Sequence, residues 1–204
     1  MFKGLTKDLT GTADICNTVT NFSKIHGAQY VLPGEEVLFA FASAKEEFVF
    51  TNEALITVCG ENATTTRKLV LRYEYRDNPL SQVQFETTGR VDRDCEIKFK
   101  IGEYPIFIDI AKKEEELVKS HYKALVALSR EQKQRLQSWE NVKDGLDKTS
   151  DALHLKGANR GSNELSLTAQ ASNTLAWLEN DFQRVQPRSF KTTITAALPN
   201  ARRR

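Results

Sequence analysis

The chain has 204 residues, of which 40% are hydrophobic and 27% charged, with a net charge of +2. That balance is the one ordinary globular proteins show, and it excludes a wholly disordered or fibrous chain. No run approaches the roughly 20 apolar residues of a membrane-spanning helix, and the net charge conceals a split. Residues 1–110 carry 12 Lys/Arg against 16 Asp/Glu, whereas residues 111–204 carry 17 against 11.

At the N-terminus, Met1-Phe2-Lys3-Gly4-Leu5-Thr6 and the Thr, Asp and Asn residues that follow form neither an apolar secretory core nor an Arg-rich presequence. A cytoplasmic location is the expectation. Ile15, Val19, Phe22 and Ile25 recur at helical spacing, with Thr10 or Thr12 available as a cap, which predicts a short amphipathic helix within residues 1–28. Gly27 and Pro33-Gly34 then mark turns.

From residue 36 to 110 the period becomes two. Seven apolar segments, at 37–42, 48–51, 54–58, 69–75, 83–87, 95–101 and 106–110, follow one another across short polar connections. They read as strands. Ile97, Phe99 and Ile101 alternate with Glu96, Lys98 and Lys100, so one face meets a core and the other meets water. Such short connections leave no room for crossover helices, which makes the sheet antiparallel. Gly60-Glu61-Asn62 and Asp77-Asn78-Pro79 supply turn chemistry, and Gly89 reads as a loop or bulge. Cys16, Cys59 and Cys95 are odd in number and widely spaced, which fits reduced thiols rather than a disulfide framework or metal site; Cys59 reads as a small buried apolar residue.

At Ala111 the pattern switches to one or two charged helices running to about residue 153. Glu114, Glu115 and Glu116 complement the positive end of the macrodipole. Val118, Tyr122, Leu125, Leu136, Trp139, Val142, Leu146 and Leu153 trace a seam interrupted at Ser129 and Gln132. A loop over 154–162 precedes another helix, capped by Ser162 or Asn163 and carrying Leu175, Leu178, Phe182 and Val185 on one face; Gln186-Pro187 ends it. The two helices form a hairpin, in which Trp139 and Trp177 either pack on each other or, with Phe182, supply an interface. Residues 185–204 contain Arg188, Lys191, Arg202, Arg203 and Arg204 and no acid. This basic end is suited to an anionic partner.

Two segments carry a family resemblance. Glu46-Glu47-Phe48-Val49-Phe50-Thr51-Asn52-Glu53-Ala54-Leu55-Ile56 has a Phe-Thr-Asn turn before an apolar strand. Ser81 to Lys98 joins an apolar strand ending Thr-Thr-Gly, an aspartate-bearing loop and a Glu-Ile-Lys strand. Together they make residues 29–112 resemble the bacterial pleckstrin-homology (PH) family. The resemblance implies an α+β fold: a PH-like antiparallel barrel or sandwich of about seven strands with an N-terminal helix, closed by a capping helix. Here that places an N-terminal helical segment at 1–28, the PH-like domain at 29–128, a helical extension at 129–185 and a basic tail at 186–204. It also implies self-association and no enzymatic activity. Thr64-Thr65-Thr66-Arg67-Lys68 replaces the family's usual glycine-containing turn.

PH domains that bind phosphoinositides use cations in the loop between their first two strands. Here that loop, Ala42 to Glu47, has Lys45 beside Glu46 and Glu47, which disfavours a headgroup. Arg67, Lys68, Arg72 and Arg76 read as a solvated strand face. The scattered His26, His121 and His154 and the absence of catalytic motifs point away from an enzyme; no cofactor or metal is expected. The leading expectation is an interaction or scaffold protein, forming a homo-oligomer or part of a larger assembly. Its rivals are a peripheral adaptor on anionic lipid and a structural subunit on the acidic surface of a cytoskeletal or ciliary filament. Without an aromatic platform beside the arginines, sequence-specific nucleic-acid binding is not expected.

Overall fold

The structure is a computed structural model describing residues 14–60, 67–87, 89, 93–155 and 167–198. Two antiparallel sheets form its β portion. The first has five strands in chain order, β1 (Asn17–Thr18), β2 (Val37–Ala42), β3 (Glu46–Thr51), β4 (Ala54–Gly60) and β5 (Lys68–Glu74). The second has three, β6 (Leu80–Glu86), β7 (Asp94–Ile101) and β8 (Tyr104–Ala111). All seven strands expected from the alternation are present, and the fold is α+β of the PH type. The sheets are open, however, so the barrel form of that expectation is corrected to a sandwich with edges.

The core follows from alternation on facing strands. Cys95, Ile97, Phe99 and Ile101 of β7 are buried in one cluster with Phe39, Phe41 and Phe50 of the first sheet, where Phe99 meets Phe50 at 6.2 Å. Each such side chain contributes about 1.5–3 kcal/mol on leaving water. The tight turn from Ile101 to Tyr104 places Gly102 at φ +57°, a left-handed conformation that costs glycine least. One end of the sandwich is closed by α1 (Glu115–Leu155), whose Val118, His121, Ala124, Leu125 and Leu128 are buried at helical spacing. Ser129, read as a break in the seam, donates its hydroxyl to the Leu80 carbonyl at 2.8 Å.

The N-terminal helix is corrected. Within 14–30 the chain forms β1 and two 3₁₀ turns, Phe22–Lys24 and His26–Tyr30; Thr10 and Thr12 lie outside the described residues. Tertiary hydrogen bonds override the helical spacing. The Cys16 N–H donates to Asp109 O at 2.8 Å, the Ala111 N–H donates to Cys16 O at 2.9 Å, and the Val19 N–H donates to Ala40 O at 2.9 Å. Cys16 thereby joins the two sheets.

The turns then cover the outer face of the first sheet, where Ile25, Ala40, Val49 and Ile56 make a second, smaller core. Burial on both faces explains why β2 to β4 read as nearly continuous apolar runs. Gly27 is needed here, because a Cβ at that position would stand 2.5 Å from Val49 Cγ2. The Glu47 carboxylate accepts the Gly27 N–H at 2.8 Å and the His26 N–H at 3.1 Å, holding the turn.

The chain divides into two compact units. Described residues up to Ser129 together with those from Ser189 form one, and Arg130–Arg188 form the other. The second unit holds the rest of α1 and α2 (Leu167–Val185), side by side and antiparallel: Arg135 donates to Arg184 O at 2.5 Å, and Trp139 meets Phe182 edge-on at 5.5 Å. The caps expected at Ser162 or Asn163 lie outside the described residues.

The described part of the basic tail, up to residue 198, is folded. α3 (Lys191–Ala197) belongs to the first unit, with Phe190 and Ile194 buried and Phe190 edge-on to Tyr75 at 6.3 Å. The Phe190 N–H donates to Asn52 O at 2.8 Å.

Candidate functional site

The Phe-Thr-Asn turn between β3 and β4 organises the surroundings of β5. Thr51 is buried, and its hydroxyl accepts the Glu53 and Ala54 N–H groups at 3.1 and 2.8 Å. That hydroxyl also donates to Glu35 Oε1. Asn52 works in two directions: its Oδ1 accepts the Glu36 N–H at 2.7 Å, and its Nδ2 donates to the Ser189 hydroxyl at 2.9 Å.

Beside this turn, Arg72 of β5 forks onto Glu35 with two bonds of 3.0 Å and reaches Glu74 at 2.6 Å. The Glu35 side chain is 0% exposed. Burial works against its ionisation, but hydrogen bonds from Arg72, Thr51 and the Leu32 N–H outweigh that and hold its pKa below the usual range. Arg72 is thus a structural clamp and not the solvated cation that its basic neighbours suggested. The pairing joins residues too far apart for any sequence spacing to reveal it.

The loop where a phosphate headgroup would sit is closed on itself. The Ser43 hydroxyl accepts the Lys45 and Glu46 N–H groups at 3.1 and 2.9 Å. Lys45 is buried and lies 3.2 Å from Asp14. Its charge is directed inward.

The outer edge of β5 is different in kind. Among the described residues β5 pairs on one side only, with β4. On the face continuous with the main core, Leu69 is 53% and Leu71 39% exposed, while Tyr73 is buried against the exposed Tyr104 at 5.3 Å. An unpaired edge flanked by exposed leucines is a template for another strand.

The interface residues expected in the helices separate. Trp139 packs on Phe182 and not on Trp177, which is 47% exposed. Leu136 and Leu175 are exposed as well. Of the basic C-terminal series, Lys191 pairs with Glu36 at 2.6 Å and Arg188 is engaged within the chain; Arg202, Arg203 and Arg204 lie outside the described residues.

None of the three cysteines is poised as a thiolate. Burial, reinforced by nearby carboxylates, pushes Cys16 and Cys59 up to about 12 and Cys95 to about 11. Cys59 is half-buried and its thiol lies 3.2 Å from Glu46 Oε1, so it is more than a passive filler. Among the described residues, no group of three His, Cys, Asp or Glu side chains is arranged to hold a metal, and no helix is long and apolar enough to cross a membrane.

With the sandwich, its capping helix and the Thr51-Asn52 turn in view, comparison with known families becomes decisive. The model of the bacterial PH domain matches residues 5–129. The chain belongs to the bacterial PH domain family. The match is wider than the two segments that carried the resemblance and ends at Ser129, where the first unit hands α1 to the second.

Relatives of this bacterial PH domain protein extend past that boundary. It is similar to YvbH of Bacillus subtilis, 35% identical over 158 residues, covering 76% of this chain and 78% of that protein. It is also similar to the crystal structure of a PH-domain-containing protein from Exiguobacterium sibiricum, 30% identical with a TM-score of 0.82, covering 91% of this chain and all of that one. A likeness of that extent takes in the helical extension as well as the PH domain.

Proposed function

We propose that this bacterial PH domain protein is a non-catalytic interaction module that acts by self-association, as a homo-oligomer or within a larger assembly. The observation that carries the reading is the edge of β5, which leaves Leu69 and Leu71 in solvent and its outer side without a partner strand among the described residues. Exposed, flat, apolar edges are sites at which sheets add further strands. The exposed Trp177 and Leu175 of α2 supply further apolar surface.

A role on anionic lipid draws less support. Lys45 faces Asp14, and Lys191 is already paired with Glu36. Light scattering of the full chain across a concentration series tests the proposal. A mass of two or more chains that grows with concentration is expected; a single-chain mass up to the solubility limit contradicts it.

A further inference from the structure

We propose that the PH domain carries a docking groove for a short amphipathic helix of a partner protein, with residues 189–198 as its resident occupant. The partner helix bears an aromatic residue, a cation directly after it, and an aliphatic residue four positions on from the aromatic. Such docking is independent of self-association.

The walls of the groove belong to the PH domain and its filling does not. Glu36 just before β2, Asn52 in the turn between β3 and β4, and Tyr75 just after β5 all lie within residues 5–129, which the family model matches. The filling arrives from beyond the helical extension, and α3 lies against β2. Phe190 and Ile194 are buried in the main core, and Ala197 and Leu198 pack against it. The four fall at i, i+4, i+7 and i+8, the spacing of a helix laid in a groove. Phe190 stands edge-on to Tyr75 at 6.3 Å, and its N–H donates to Asn52 O at 2.8 Å. Lys191 pairs with Glu36 at 2.6 Å.

A helix of seven residues does not hold its shape alone, so the groove makes α3. Its anchorage combines two buried apolar side chains, polar bonds at Asn52 and a half-exposed ion pair that salt weakens. Thr192, Thr195 and Ala196 face solvent. The groove therefore reads few positions, and a partner helix carrying those positions fits the same place. The short tether through Gln186 to Arg188 holds the resident segment at an effective concentration on the order of millimolar, the threshold that a partner must exceed.

A protease recognition sequence inserted between Gln186 and Pro187 of the full chain, then cut, frees the segment without altering the groove. The cut protein should keep a cooperative melt and release its segment on gel filtration. A labelled peptide of residues 187–198 should then bind it saturably in fluorescence anisotropy, about tenfold or more tighter than it binds the uncut chain. In the peptide, Phe190→Ala should weaken binding by about tenfold or more. Lys191→Glu should weaken it at low salt and less at high salt. Replacing Thr192, Thr195 and Ala196 together should change little, because they face away from the groove. Loss of the cooperative melt on cutting, or a segment that neither leaves nor exchanges with the peptide, overturns the groove as an exchangeable site. So does a peptide that fails to bind or binds equally well without Phe190. Dependence on the solvent-facing positions overturns docking by a partner of this chemistry.

Discussion

Glu35 and Arg72 meet through two parallel bonds of 3.0 Å across 37 residues of chain, and the carboxylate end of the pair is fully covered. The fork ties the segment entering β2 to the edge strand β5, and Thr51 ties it to the Phe-Thr-Asn turn. Arg72→Lys keeps the charge but loses the planar fork, at a cost of about 1–2 kcal/mol. Arg72→Met strands a buried carboxylate, at about 3 kcal/mol. Urea midpoints with unchanged slopes should rank the variants in that order.

Asn52 holds the C-terminal segment. Asn52→Ala removes the bonds to the Glu36 N–H and the Ser189 hydroxyl and is expected to cost about 1–2 kcal/mol, because two bonds are lost and the part-buried Glu36 N–H is left without its acceptor. Phe190→Ala costs about 3 kcal/mol. Both should raise hydrogen exchange in Lys191–Ala197 before the sheets are affected.

At Gly27 the N-terminal turn lies directly on β3. Gly27→Ala drives a methyl group into Val49 and should cost about 1–3 kcal/mol. Val49→Ala opens the space, so the double variant should lose less than the two single losses combined. A thermodynamic cycle from thermal melts checks this coupling.

Acid should destabilise the fold in two stages. His121 is packed between Phe39 and Phe41, with ring centroids 4.7 and 5.2 Å away, and burial lowers its pKa to about 4. A depressed histidine favours folding while neutral, so stability is full above the unfolded value of about 6.5 and falls as pH drops toward 4, by roughly 3 kcal/mol. Glu35, also depressed, adds its loss as pH falls through the ordinary carboxylate range and below. His121→Leu should flatten the first stage and leave the second, as read from urea midpoints against pH.

The strands were legible for two reasons: β7 keeps a period of two because one face meets the main core and the other meets water, and β2 to β4, buried on both faces, stand out as short apolar runs between turns. The N-terminal segment was not. Ile15, Val19, Phe22 and Ile25 fit a helical stripe, but Cys16 is held by backbone bonds to β8, and those depend on pairing that a local pattern does not carry. Phe190 and Ile194, four residues apart, were a legible signal of a short docking helix. The Trp139 partner turned on helix register, which set Phe182 and not Trp177 against it. The clamp at Arg72 was hidden by distance along the chain. The edge at β5 was visible as Leu69-Val70-Leu71, yet its exposure is a property of strand order.

Hydrogen exchange of Lys68–Glu74 at low and high protein concentration tests the central claim most directly, because pairing protects outward N–H groups that an edge strand leaves to solvent. The account predicts that protection in β5 rises with concentration while that in β6 stays constant. Protection in β5 that does not change across the series would contradict it.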